Sequence, residues 1–131
     1  MKISLDTNAY SGFMNGNPII LDYIIEAEIV YVSTVMLGEL FAGFRGGRKY
    51  SANIEELKLF LLKDGIRTID VTIETSEIFG EIKAELSKKG KMIPINDIWI
   101  AAHTIETGSK LLTYDANFKN ITRLRVWDEL K

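Results

Sequence analysis

The sequence predicts an α/β protein with a central, mostly parallel sheet of four to five short strands flanked by helices. Short apolar or β-branched runs at Lys2–Asp6, Glu28–Val32, Ile66–Ile69 and Leu111–Thr113 alternate with segments of helical pattern. Strands separated by helices pair in parallel through right-handed crossovers. The 131 residues, 47% of them apolar, suit one domain spanning 1–131 with a substantial core.

Each element has a local reason. In Lys2–Asp6, Ile3 and Leu5 share one face, which gives a short strand ending at Asp6. A short helix is expected over Ala9–Met14. Asn17-Pro18 opens the next helix, because Asn caps and Pro suits the first helical position. Ile20, Leu21, Ile24 and Ile25 are its expected core stripe. Glu28–Val32 is β-branched and aromatic, hence a strand. Ser33-Thr34 starts a helix running to about Arg45, with Glu39 in its middle. Gly46-Gly47 breaks the chain inside a basic cluster of Arg45, Arg48 and Lys49, a pattern usual for solvated surface. The following helix, over roughly Arg48–Lys63, carries Ile54, Leu57, Leu59, Phe60, Leu61 and Leu62. That exceeds one core stripe and predicts deep burial or a contact surface.

Gly65 closes that helix and Ile66–Ile69 is the next strand. Thr72 caps a long helix, Ile73–Lys89, with Glu74 in its first turn, Lys88-Lys89 in its last and Gly90 as its stop. Phe79, Ile82 and Leu86 are its expected buried stripe. Asn96-Asp97 leads into Ile98-Trp99-Ile100-Ala101-Ala102, apolar on every side and therefore a buried helix. Leu111–Thr113 is a strand running into Tyr114-Asp115, and Arg125-Val126-Trp127 is a short edge strand.

Composition removes several chemistries. There is no cysteine, so disulfides, thiolate zinc sites and thiol catalysis are out. A single histidine, His103, rules out a His-rich metal site. No apolar run approaches the roughly 18 residues of a membrane span, and Met1–Asp6 lacks a signal peptide's apolar region. A cytoplasmic protein without membrane contact is expected. The net charge of −2 lacks the basic balance usual for a nucleic-acid binder, although charge distribution matters more than the sum.

The acids are the chemical candidates. Asp6 and Asp115 follow strands of one parallel sheet, so both emerge at its carboxyl edge, where open α/β sheets bind ligands. Glu39 follows the second strand, and Asp97 opens a buried helix. Each also has a bland reading. Asn96 or Asp97 can cap its helix, Asp115 can hold a turn before Asn117, and Glu39 can sit at a partly exposed edge. If the acids converge, their mutual repulsion calls for a divalent cation, and oxygen-only ligands favour Mg²⁺ or Mn²⁺. His103 lies six positions after Asp97 and so points away from it, which favours a structural role. Trp99 reads as packing rather than a base-stacking platform, and Tyr10 and Phe13, close after Asp6, can either reach a nucleic acid or pack in the core.

These residues resemble the PIN-domain ribonucleases, and more closely the VapC-type toxins of type II toxin–antitoxin systems. The motifs are Leu5-Asp6-Thr7-Asn8, Ser33-Thr34 with Glu39-Leu40, Pro94-Ile95-Asn96-Asp97-Ile98-Trp99-Ile100-Ala101-Ala102, and Leu112-Thr113-Tyr114-Asp115-Ala116-Asn117-Phe118. The resemblance covers nearly the whole chain, and its last two motifs are the specific ones. It implies a three-layer sandwich and Mg²⁺-dependent cleavage of single-stranded or looped RNA. It also implies inhibition by a small antitoxin protein and, with the surplus apolar surface, a homodimer. By the same resemblance Asp6, Glu39, Asp97 and Asp115 are the catalytic, metal-binding acids, with Asp6 and Asp97 the principal ligands. Thr113 matches a small polar residue beside the site, and Asn117 stands where a further acid sometimes occurs. Two other readings compete. An aspartyl phosphotransfer enzyme needs a second Asp two positions after the first, where Asn8 stands. A non-catalytic binding module of the same fold has no use for all these acids.

Overall fold

The computed structural model describes residues 1–127. In chain order the strands are β1 (Lys2–Leu5), β2 (Ile29–Ser33), β3 (Ile66–Ile69), β4 (Lys110–Leu112) and β5 (Val126–Trp127). The helices are α1 (Thr7–Met14), α2 (Pro18–Glu26), α3 (Thr34–Arg45), α4 (Tyr50–Leu61), α5 (Ile73–Lys89) and α6 (Ile95–Thr107), with a 3₁₀ turn over Ala116–Asn120. All strands are parallel, in the order β3-β2-β1-β4-β5.

That order positions the site. From the central β1 the chain steps outward to β2 and β3, then crosses back to lay β4 on the other side of β1. The switch point therefore lies between β1 and β4, where Leu5 pairs with Leu112. The next residues, Asp6 and Thr113, stand at the carboxyl mouth of that junction, the usual ligand position in such sheets. The sheet is buried through Ile3, Leu5, Val30, Val32, Leu111 and Leu112.

Helix boundaries follow the expected chemistry with three corrections. Asn17 caps α2 as foreseen, accepting the N–H of Ile19 and Ile20, with Pro18 at the first helical position. Thr72 and Thr75 form a reciprocal capping box on α5, and Gly90 ends it in the left-handed region at φ 63°. The α2 stripe is narrower than expected: Ile20 is buried, whereas Leu21 and Ile25 are exposed and Ile24 is half-buried. This nine-residue helix lies at the rim, so only one position per turn reaches the core. In α5, Ile78 and Thr75 join Ile82 and Leu86 in the core, and the half-buried Phe79 instead stacks on Trp99 at 3.9 Å. Finally, α4 starts at Tyr50, because no short polar side chain at Arg48 or Lys49 caps an earlier start. It buries Leu57 and Phe60 and leaves Leu59 and Leu62 exposed.

A surface clamp ties the chain's last turn to α5. Glu85 accepts both the N–H and the hydroxyl of Thr122 and the ammonium of Lys89, and Arg123 pairs with Glu81. The Thr122 hydroxyl first, then Lys89 and the Thr122 N–H, lower the Glu85 pKa from 4.5 to about 2. A depressed carboxyl stabilises the fold above its unfolded value and loses that contribution as pH falls through its folded value. Acid titration of stability between 4.5 and about 2 should therefore be flatter in Glu85→Gln than in the wild type. Identical profiles in that window would remove the clamp's role.

Candidate active site at the sheet switch point

Asp6 is 4% exposed and caps α1, its Oδ1 accepting the Ala9 N–H at 2.8 Å. Its Oδ2 accepts the Thr113 hydroxyl from across the β1–β4 junction. With both oxygens engaged, the carboxylate has one orientation. Burial raises its pKa, the Thr113 and Ala9 bonds oppose that rise, and the charges of Asp115 and Glu39 add to it. The short strand and the switch point explain the placement: β1 ends at Leu5, and Asp6 follows it with its N–H still on the Leu112 carbonyl of β4 at 3.5 Å.

Thr113 is the hinge of the arrangement. Its Oγ1 donates to Asp6 and accepts the Asp115 N–H at 2.9 Å. Asp115 in turn caps the 3₁₀ turn through the Asn117 N–H at 2.9 Å. The bland reading of Asp115 as a turn holder is thus correct, and the same residue still adds its charge to the fields at Asp6 and Asp97. Asn117 uses its backbone within the turn and its side chain is exposed.

Asp97 is not a cap. The residue in the N-cap position of α6 is Pro94, no side chain caps the helix, and Asp97 lies in the first turn with its N–H on the Pro94 carbonyl at 3.0 Å. A carboxylate there ordinarily gains from the helix dipole. Instead the Asp97 pKa is raised from 3.8 to about 6, by burial first and then by Glu39, Asp6 and Asp115. Glu39, half-buried, reaches this neighbourhood from the middle of α3 and accepts the Thr7 hydroxyl at 3.0 Å. Asp6, Glu39 and Asp115 thus stand near enough for their charges to act on Asp97.

Thr7 was not singled out from the sequence. Its only signal there was adjacency to Asp6, and its partner lies 32 positions away. Among the described residues no three acids or histidines stand close enough, as placed, to hold a metal ion. The donor chemistry nevertheless suits one: oxygen-only, hard and carrying unrelieved repulsion.

The remaining candidates lie elsewhere. His103 is buried with its Nδ1 at 2.9 Å from the Ser33 hydroxyl, and burial depresses its pKa. The charges that act on it are Glu106 and Asp70, not the site acids. Tyr10 and Phe13 pack against Phe60 at 5.3 Å, and Arg45 lies over the Tyr50 ring at 4.8 Å. A separate apolar groove of about 380 Å³ lies along Phe13, Met14, Leu21, Leu59, Phe60 and Lys63.

Residues 3–124 match the PIN domain family model. The chain is 30% identical over 136 residues to Ribonuclease VapC2 of Rickettsia felis, covering 98% of this chain and 100% of the relative. It is 33% identical over 128 residues to Ribonuclease VapC2 of Haemophilus influenzae, covering 95% and 96%. Its fold is similar, with a TM-score of 0.85 and 29% identity, to a chain in the structure of VapBC2 from Rickettsia felis bound to a promoter DNA fragment. That similarity covers 97% of this chain and 98% of the other.

Proposed function

We infer that this chain, which belongs to the PIN-domain family and within it to the VapC-type toxins, is an endoribonuclease restrained by a cognate antitoxin. It hydrolyses RNA phosphodiester bonds as a single domain over 1–131. The observation that carries the reading is the charge cluster at the switch point. The Thr113 hydroxyl joins Asp6 to Asp115, while Asp97 is pushed to about 6 beside Glu39. A merely structural set of acids gains nothing from such repulsion, which also counts against a non-catalytic module. Asn8 is exposed, and an aspartyl phosphotransfer reading lacks its second acid.

The acids Asp6, Glu39, Asp97 and Asp115 would hold Mg²⁺, with Mn²⁺ as substitute. When bound, such an ion neutralises charge developing on the phosphodiester and promotes deprotonation of water. The chain's own work is preorganisation. Ala9 and Thr113 orient Asp6, Thr7 orients Glu39, and the first turn of α6 presents Asp97 to the same mouth. The test is cleavage of pooled single-stranded RNA by the purified chain with Mg²⁺ or Mn²⁺, arrested by EDTA. Full activity in EDTA would remove the metal from the reading.

The apolar groove is the proposed antitoxin seat. Of its lining, Leu59 is 63% and Leu21 40% exposed, so apolar side chains of two helices face solvent side by side. An amphipathic antitoxin segment, disordered before binding, fits such a groove. Leu61 is half-buried against the core, so Leu59 is the cleaner probe. Leu59→Lys should weaken antitoxin binding by about tenfold or more and leave RNA cleavage unchanged. Calorimetry giving an unchanged Kd would move the seat elsewhere. A homodimer and a cytoplasmic location complete the reading, and among the described residues no helix is long and apolar enough to cross a membrane.

A further inference from the structure

Tyr114 is the residue between Thr113 and Asp115, and neither fold nor site has yet accounted for it. Its ring lies over Gly12 of α1. A Cβ at Gly12 would stand 2.6 Å from the Tyr114 hydroxyl, 3.2 Å from its ring and 2.8 Å from Ile20 Cδ1. Glycine in mid-helix is less favourable than alanine. Gly12 has no left-handed φ to justify it, so close approach is its reason.

The Tyr114 hydroxyl also accepts a hydrogen bond from Asn17 Nδ2 at 2.6 Å. Asn17 cannot turn away. Its Oδ1 is taken by the Ile19 and Ile20 N–H groups at 2.9 and 3.1 Å, which leaves Nδ2 for Tyr114. Its own N–H is held by the Gly12 carbonyl at 2.9 Å. The α1–α2 corner is therefore a rigid anchor, and Tyr114 is the side chain by which the turn after β4 grips it. On either side of Tyr114 sit the hydroxyl that orients Asp6 and the carboxylate of Asp115.

We propose that Tyr114 is a positioning residue of the ribonuclease site: clasped by Gly12 and Asn17, it holds Thr113 and Asp115, and through Thr113 the Asp6 carboxylate, in their working places. The proposal rests on the reading of this site as a metal-dependent ribonuclease. It adds a residue that touches none of the reacting atoms. Without the clasp the turn from Thr113 to Asn117 keeps its internal bonds and the Thr113–Asp6 bond, and Asp115 can drift from Asp97 and Glu39.

The test compares Tyr114→Phe, which keeps the ring and loses the hydroxyl, with Asn17→Ser, which keeps a helix cap but cannot reach the ring. Each should lower kcat on single-stranded RNA by roughly fivefold to tenfold with KM within about twofold. Calorimetric titration of the same proteins with Mn²⁺ should show a Kd weakened by a similar factor, roughly threefold to tenfold. The double variant should be no worse than either single, because both remove one contact. Asn17→Asp should retain wild-type kcat, since its carboxylate caps α2 and accepts the Tyr114 hydroxyl in place of donating to it.

Wild-type kcat and Mn²⁺ affinity in Tyr114→Phe would overturn the proposal. So would losses that multiply in the double variant, or a melting temperature lowered enough to explain them. If Tyr114→Phe is unaffected but Tyr114→Ala raises KM alone, the ring is a base contact and the positioning role fails. An inactive wild type that binds Mn²⁺ overturns the ribonuclease reading instead. The Mn²⁺ titrations of the variants then decide the clasp by themselves.

Discussion

Asp6→Asn and Asp97→Asn are each expected to cut RNA at least about a hundredfold more slowly than the wild type while staying folded. Loss of one charged ligand removes transition-state stabilisation worth several kcal/mol, and neither change deprives the fold of much. Asn at position 6 still accepts the Ala9 N–H through its remaining oxygen. The Thr113 hydroxyl has two lone pairs and can turn to accept from the new amide while still accepting from Asp115. At position 97 no side-chain hydrogen bond exists to be lost as a cap. Thr113→Val should fall between, roughly tenfold down, because it frees the Asp6 carboxylate without removing its charge. Initial rates on pooled RNA in Mg²⁺, with circular dichroism to verify folding, measure all three. A rate for Asp97→Asn within about threefold of wild type would mean that Asp97 lies outside the chemistry.

Much of this site could be read before any coordinates. The alternation of Ile3 and Leu5 placed Asp6 at a strand end, and helices between strands implied a shared carboxyl edge for Asp6 and Asp115. Other features depend on distances that a linear pattern does not contain. From the sequence Asp97 could be a cap as well as a ligand, because it precedes an apolar run. The helix in fact begins at Ile95, one residue after Pro94, whose extended ψ of 143° ends the preceding loop. Glu39 was ambiguous because its surroundings on α3 are apolar or small, and the bond that holds its side chain comes from Thr7 on another helix. The α2 and α5 stripes are buried at Ile20, Ile82 and Leu86 and narrower than expected elsewhere, for a common reason. Periodicity gives the face of a helix, but neighbours set how wide a face is covered. Leu21 and Ile25 meet solvent, and Phe79 packs half-buried against the core while stacking on Trp99. The strand order was also beyond the pattern, and it is this order that brings β4 beside β1 and lets Thr113 touch Asp6.

In the metal-free protein Asp97 should oppose folding near neutral pH, so Asp97→Asn is expected to melt higher than the wild type in EDTA. The physical origin is burial first, then the charges of Glu39, Asp6 and Asp115, which raise its pKa from 3.8 to about 6. A shift of that size corresponds to roughly 3 kcal/mol at full value, and partial exposure of the group cuts it to on the order of 1–2 kcal/mol. For a domain of this length that is a rise of about 3–6 °C. The sign is set by linkage. Between 3.8 and about 6 the folded state binds a proton that the unfolded state does not. Stability contributed by Asp97 therefore increases as pH falls through that window and is lost as pH rises above it. The advantage of Asp97→Asn should be full near about pH 7.5 and nearly gone near about pH 4. The Glu85 clamp contributes in full above 4.5 and weakens below it in both proteins alike, so it does not disturb the comparison. Mg²⁺ should reverse the order at neutral pH, because only the wild type keeps all the acids to bind it, and ligand binding to the folded state raises its melting point. A structural Asp97 behaves oppositely: its Asn variant melts lower in EDTA at every pH, and Mg²⁺ leaves the gap unchanged. Melting curves of both proteins across this pH range, with EDTA and with Mg²⁺, separate a carboxylate kept for an ion from one kept for the fold.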